Sequence, residues 1–502
     1  LLRTLLVNTG SNVLVMAVKI ALTFIMTPLF VRNLGNYDYG LWEMVGAVLG
    51  YMGMLDLGIK PAISVYASRF RAQDDPAKLQ AVYASTFIFM VVIGVLIAIT
   101  LVCWGLFFSA SMAPEGEQTV RYTLFMLILA GQMLIVFPGY VAESFLEGFQ
   151  KYYIKNNITI VNSLLGALAF ISFATPENSL VLLAAINGIG LGIKYVLFII
   201  LLARPTHGAI YFRAGSFSPV LLREMLGFSF KSFIQGLATR MESFTDTLVI
   251  GTFLGPALVP FYSIPQSLVR YIQTLGWTLS HAFMPLFSDL AARSRQEEIQ
   301  NIYLVASKIV VGIVLALGTG VILLATPFLA VWIGPEYTAY SDYIVLLLVT
   351  FTVLPLMNPF SSRYLTAINR HGIFAKWMPV SAVANLLLSI ILVGPYGLIG
   401  VAAASLIPSL FLQPVLLVYT CRQLDLTVGK YIKTSLAPLL LPLCVMGGLV
   451  GFIRLQYTLD SYLLIGGTVV AGAVLYISTF WYFSFTADER QFIVRRRPRR
   501  QG

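Results

Sequence analysis

Charge is scarce in this chain. Only 11% of its 502 residues are Asp, Glu, Lys or Arg, less than half of the ~25% carried by a soluble domain. That shortage excludes an ordinary water-soluble fold. Cysteine and histidine are rarer still, three of each. Cys103, Cys421 and Cys444 lack the paired spacing of a zinc or redox site; they are expected as small apolar fillers in or near membrane helices. No phosphate-gripping glycine loop, metal-ligand set or nucleophile motif occurs. The chain therefore reads as no enzyme, and no cofactor is implied. Short segments of alternating polarity are missing too, which excludes a membrane β-barrel.

What is present is apolar. Hydrophobic residues make up 58% of the chain, at a mean hydropathy of +0.84. Runs of roughly 20 such residues recur from end to end, each long enough to span the ~30 Å hydrocarbon layer. Fourteen candidate spans lie near 8–32, 40–59, 80–108, 120–146, 157–175, 179–203, 227–252, 260–287, 303–332, 342–362, 374–393, 396–420, 434–453 and 461–485. The expected fold is an all-α polytopic membrane protein. The shortest gaps hold "ATPENS" and "GPYG", whose turn residues break a helix. No cleavable signal is expected, because the first apolar run continues into a full span.

Basic residues give the direction. Of the 33 Lys and Arg, 24 fall in the tails and loops of one side or at the span edges beside them, 3 likewise on the other side and 6 deeper within spans. Positive residues collect on the cytoplasmic side, so both termini are predicted cytoplasmic. The net charge of +11 and pI near 9.4 then reflect topology and not a nucleic-acid partner. The tail "RRRPRR" reads equally as a contact with anionic lipid and as a plain stop-transfer anchor. No external loop is long, which weighs against a membrane polymerase or ligase.

Parts of the sequence recur at an offset of 220. "LGNYDYGLW" from Leu34 faces "LGPALVPFY" from Leu254, and "KLQAVY" from Lys78 faces "EIQNIY" from Glu298. "LEGFQKYYI" from Leu146 resembles "LTAINRHGI" from Leu365. The offset spans six helices, an even number, so the two copies share one orientation. The predicted plan is two six-helix lobes related by a pseudo-two-fold axis along the membrane normal, at 1–205 and 227–423. A linker at 206–226 joins them; two further helices at 424–487 and a basic tail at 488–502 follow. Transporters built on parallel halves hold their substrate near the midplane, where the halves meet.

The polar residues within spans are the functional candidates. Lys231, Gln235, Thr239, Glu242 and Asp246 share a stripe roughly 80° wide on the seventh helix, with Arg240 beside it. Asn8, Asn12, Lys19 and Thr23 share a face of the first helix. Trp42, Gly46, Gly53, Asp56 and Lys60 share one on the second, flanked by Glu43 and Gly50. Gln266, Arg270, Thr274, Trp277 and His281 share one on the eighth. Ions in hydrocarbon either face a hydrated cavity or pair with one another. Asp246 and Glu242 thus read as coupling-ion sites or as partners of Lys19, Lys231 or Arg240. Lys60 and Lys231 read equally as cavity cations and as helix-end residues reaching water. Trp277 is an interfacial anchor or a sugar platform; His281 reads as structural. The glycines read as close helix packing. Glu143 and Glu147, near the cytoplasmic end of the fourth helix, suggest solvation or a basic partner.

The opening "NTGSNVLVMAVKIALTFIMTPLFVRNLGNYDYGLW", then "MLDLGIKPAISVYASRF", "LEGFQKYYIKNN" and "FLGPALVPFYSIPQSLVRYI", in that order, resemble the polysaccharide-transporter branch of the multidrug/oligosaccharidyl-lipid/polysaccharide exporter superfamily. The resemblance covers nearly the whole chain. It implies a flippase in the bacterial cytoplasmic (inner) membrane that moves an undecaprenyl-diphosphate-linked oligosaccharide, of O-antigen or exopolysaccharide type, by alternating access. Lys19, Arg240, Arg270 and Lys231 then become phosphate contacts, with Gln235, Asn12, Gln266 and Trp277 lining the cavity. Glu242, Asp246, Asp56 and Glu43 become candidates for a coupling H⁺ or Na⁺. Implied partners are the lipid-linked oligosaccharide, membrane lipids and the polysaccharide polymerase and chain-length machinery. Competing readings are a cation-coupled multidrug antiporter, a lipid II flippase and a non-transporting scaffold.

Overall fold

The computed structural model describes residues 2–112, 117–204, 210–487 and 489–490, and the side chains it leaves out within these include those of Lys231, Gln235, Thr239 and Glu242. The basic tail from 491 lies outside the described residues. Among the described residues there is helix and no strand. In hydrocarbon a helix satisfies all its backbone polar groups within one segment, so long apolar runs have no cheaper conformation. Ten of the described helices are long and apolar enough to cross a membrane.

The chain divides into two compact units, Leu1–Arg240 and Met241–Gly502. In the first, α1 (Leu2–Met52) is broken at Gly35, where φ is +70°. That break falls in the loop predicted between the first two spans, at a conformation cheap only for glycine. A tight turn at Gly53–Asp56 ends the run. Here Leu57 and Gly58 are left-handed, and the Gly58 N–H donates to Asp56 Oδ1 at 2.8 Å. Next comes α2 (Ile59–Ala72), over residues read from the sequence as part of a basic loop. Its Ile59, Ala62, Ile63, Tyr66, Ala67 and Phe70 are buried, at the 3–4 spacing of one helix face. Arg69 and Arg71 remain in its last turn, where cations suit the helix dipole. Then follow α3 (Pro76–Met112), α4 (Glu117–Gly148), α5 (Tyr152–Phe173), α6 (Ser179–Ala203) and α7 (Pro219–Phe253).

Small residues bring these helices close. A Cβ on Gly94 of α3 would lie 2.8 Å from Met133 O of α4, and one on Gly139 of α4 would overlap the Tyr195 ring of α6. Around those contacts lies a core of Tyr83, Phe137, Phe145 and Phe198.

The second unit starts within α7 and continues through α8 (Val259–His281), α9 (Met284–Ala292), α10 (Gln296–Trp332), α11 (Ser341–Leu356), α12 (Ser361–Ala367) and α13 (Gly372–Gln423). Helix α13 is broken at Gly397, inside the predicted "GPYG" turn. The short α14 (Val428–Tyr431), then α15 (Leu440–Gln456) and α16 (Tyr462–Thr479), complete it. Phe287, Tyr303, Phe360 and Tyr364 form a buried ring cluster.

The 220-residue offset reappears in the backbone of each unit. Helices α2 and α9 end at Ala72 and Ala292, and left-handed Asp74 and Ser294 follow. The next helices, α3 and α10, are each 37 residues long. Left-handed Gly35 and Gly255 match at the same offset, and Gln150 and Asn369 match within one residue. These turns are where "LGNYDYGLW" meets "LGPALVPFY" and "LEGFQKYYI" meets "LTAINRHGI".

One ion pair has a buried cation and a half-buried carboxylate. Lys308 of α10 is 2% exposed, and its Nζ donates to both Glu489 carboxylate oxygens at 2.7 and 2.8 Å and to Ser484 O at 2.9 Å. Removing one partner of such a pair strands the other's charge. Lys308→Met is expected to cost about 3–5 kcal/mol in thermal unfolding of the solubilised protein. Adding Glu489→Gln should recover part of that loss; strictly additive losses would show the pair to be uncoupled.

Candidate substrate and ion site

Two groups of polar residues emerge, one in each unit. In the first, Asp56 is held buried by its bond to Gly58. Lys60, one turn into α2, places its Nζ 3.3 Å from the Tyr140 ring centroid. An ammonium over an aromatic face gains a cation–π attraction that strengthens away from water. Arg240 donates from Nη1 to Gly50 O at 2.9 Å, and the missing side chain of Gly53 leaves room for the same atom. The guanidinium thus rests on the α1 backbone at Gly50 and beside Gly53. Arg240 is otherwise exposed and has no ion pair among the described residues. Glu147 pairs with Lys155 at 2.6 Å, the basic partner foreseen for that carboxylate; Glu143 accepts from the Tyr195 hydroxyl at 3.4 Å.

The first-helix stripe divides. Asn8 donates to Gln150 O and accepts from Tyr153 N–H, while Asn12 accepts from Asn156 Nδ2 at 2.6 Å. Both are thereby engaged with the start of α5 and its preceding turn. Lys19 is exposed, with no ion pair among the described residues. Glu43 is half-buried and already engaged by a neighbour.

In the second unit α8 keeps its predicted face. Arg270 and Trp277 are exposed, with Gln266 accepting from Arg270 Nη2 at 3.1 Å. His281 touches Arg363, so two basic side chains meet at the end of the stripe. The opposite face of α8 buries Tyr262, Val269, Ile272 and Gly276.

Asp246 is the most enclosed acid of the set, 2% exposed. The Tyr262 hydroxyl donates to its Oδ2 at 2.5 Å and the Ser405 hydroxyl at 3.0 Å. Asn385 Nδ2 in turn donates to Ser405 Oγ at 2.9 Å, and Asn385 Oδ1 is buried without a partner. A buried carboxylate normally needs a cation or several donors. Here hydroxyls from α8 and α13 serve, where Lys19, Lys231 or Arg240 were the partners read from the sequence. The cluster combines one carboxylate with hydroxyl oxygens and an orphaned amide oxygen, a hard-oxygen set. Asn385 was legible as the lone amide in "VSAVANLLLSIILV". Tyr262 and Ser405 carry no local signal, because tyrosine and serine are ordinary in apolar helices.

Comparison with known proteins bears on what these sites serve. Residues 5–291 match the model of a family described as "Polysaccharide biosynthesis protein". The chain belongs to that family. A relative named as the probable low-salt glycan biosynthesis flippase Agl15, of Haloferax volcanii, is 23% identical over 36% of this chain and 39% of that protein. A Shigella flexneri protein named as an O-antigen transporter is 22% identical over 74% of this chain and 87% of its own. The fold is shared with a structure titled "Lipid II flippase MurJ, inward closed conformation", at TM-score 0.69 and 15% identity, covering 96% of this chain and 100% of that one. This polysaccharide biosynthesis family member thus has the transporter fold and branch that its motifs resembled.

The Asp246 cluster can be tested within this family member. Tyr262→Phe is expected to cost about 1–3 kcal/mol of stability, by leaving the carboxylate short of a donor. In an Asp246→Leu background the same change should cost little. Thermal unfolding of the four proteins reads the coupling, and equal costs in both backgrounds would remove it.

Proposed function

We propose that this protein is a flippase. It carries an undecaprenyl-diphosphate-linked oligosaccharide, an O-antigen or exopolysaccharide repeat unit, across the bacterial cytoplasmic membrane. Its fourteen spans run with both termini in the cytoplasm, and it works by alternating access. Support comes from its family, from relatives named for glycan flipping and O-antigen transport, and from the 24-to-3 distribution of basic residues. The same relationships support a transporter and not an enzyme.

The observation that carries the reading is an exposed guanidinium without an ion pair in each unit, Arg240 in the first and Arg270 in the second. Each is exposed and hydrogen-bonded to a neutral oxygen, leaving further N–H donors free. A guanidinium presents its donors in a planar fork that matches phosphate oxygens. A diphosphate cannot enter hydrocarbon unaided, and such groups take over the role of its water. Trp277, exposed on the Arg270 stripe, offers a flat face to a sugar ring. In the second unit, Asp246 with Ser405, Tyr262 and the free oxygen of Asn385 is the coupling site, for H⁺ or Na⁺. One carboxylate and neutral oxygens suit a single positive charge.

The decisive experiment uses a strain deleted for this gene. Mass spectrometry of its lipids, with leaflet-selective labelling, should show the lipid-linked oligosaccharide accumulating on the cytoplasmic leaflet. The wild-type gene should clear it. Arg240→Ala and Arg270→Ala should not, at undiminished protein level. Normal clearance by both would remove the cationic site. In proteoliposomes, Asp246→Asn should abolish any dependence of flipping on an imposed H⁺ or Na⁺ gradient; dependence that persists would place coupling elsewhere.

A further inference from the structure

A cavity of about 440 Å³ lies between α5 and α6 within the first unit, and neither Arg240 nor Lys19 lines it. Its walls are almost entirely apolar, set by Val161, Leu165, Ile186 and Ile189, with Gly166 and Gly190 thinning the two helices. Gly190 is occupied from across the gap: a Cβ there would fall 2.7 Å from Asn162 Oδ1. Against this apolar trough stands one cation. Lys194 is only 9% exposed, yet it lines the cavity. Its Nζ lies 4.1 Å from the Tyr195 ring centroid and 5.9 Å from that of Phe198. Among the described residues it has no ion pair within 4.0 Å. Lys60, Lys19 and Lys155 add their fields to its own, against a single carboxylate, Glu143. A buried ammonium with no carboxylate within ion-pair distance can take an anion from a ligand.

We propose that this trough binds an anionic glycerophospholipid of the cytoplasmic leaflet, its phosphate at Lys194 and one acyl chain along the α5–α6 groove. The direction of the groove fits. Lys194 lies nine residues before Ala203, the predicted cytoplasmic end of α6, or about 14 Å along the axis. Asn157, which also lines the cavity, lies five residues after Tyr152, at the predicted cytoplasmic start of α5. Asn157 and Lys194 lie in the predicted cytoplasmic half and Asn162 at the middle of α5; the remaining wall is hydrocarbon. A lysine side chain reaches several ångströms toward the interface to meet a headgroup. The size lies within the ~300–1,000 Å³ of ligand pockets. The inference stands apart from the flippase reading, because it needs no glycan lipid.

Native mass spectrometry of the full-length protein, titrated with phosphatidylglycerol and phosphatidylethanolamine, tests it. Wild type should prefer phosphatidylglycerol about tenfold, or ~1.4 kcal/mol. Lys194→Gln should erase the preference, while Lys194→Arg keeps it and shows that the fold tolerates change there. Gly166→Leu should weaken binding of both lipids. Its Cβ meets only Ile186 Cγ2, at 3.5 Å, so the side chain fills the trough without backbone conflict. Equal retention of the two lipids by wild type, or a preference that survives Lys194→Gln, would overturn the proposal. Displacement of both by a polyprenyl phosphate at lower concentration would overturn it in favour of an isoprenoid occupant.

Discussion

A charge carried into hydrocarbon must find a partner there or keep its water, and the polar architecture of this protein follows from that requirement. Five intramembrane ions show four arrangements. Lys308 has a half-buried carboxylate. Asp246 has hydroxyl donors. Lys60 has an aromatic face. Arg240 and Arg270 have a single neutral oxygen each and remain exposed. The carboxylate and the hydroxyl donors answer the charge locally, and an aromatic face does so only in part. The fourth leaves it available, which distinguishes a group that can receive a ligand from one that holds helices together.

The second constraint is steric. At three matched places in the two units the backbone leaves a helix through left-handed residues. Gly35 and Gly255 serve as glycines; Asp74 and Ser294, Gln150 and Asn369 do the same with small or polar side chains. A left-handed L-residue costs roughly 1–2 kcal/mol. Its recurrence at a fixed offset marks inherited geometry, since an arbitrary loop would avoid it.

These two constraints explain how far the sequence could be read. Long apolar runs announced the helices because hydropathy and length are local properties. The break in α13 was legible at "GPYG" and that in α1 between Arg32 and Asn36, because turn chemistry is local too. Helix α2 was hidden under its charges: Lys60, Arg69 and Arg71 suggested a loop, while Ile59, Ile63, Tyr66 and Phe70 held the helical period between them. Among the polar residues, the type of each candidate was visible and its partner was not. Asp246 was recognisable as costly, but Tyr262 and Ser405 lie 16 and 159 positions away. Asn12 shared a stripe with Lys19, yet only the fold reveals that Asn156 claims it. Periodicity says which face a residue is on; it does not say what stands opposite.

The Lys308 clasp bears on biosynthesis. Its carboxylate partner is 181 residues downstream. At a synthesis rate of about 5–20 residues per second, Lys308 leaves the ribosome about 10–40 s before Glu489 exists. For that interval Lys308 lacks the carboxylate that holds it in the folded protein, so this contact within the second unit forms only after α16 has been made.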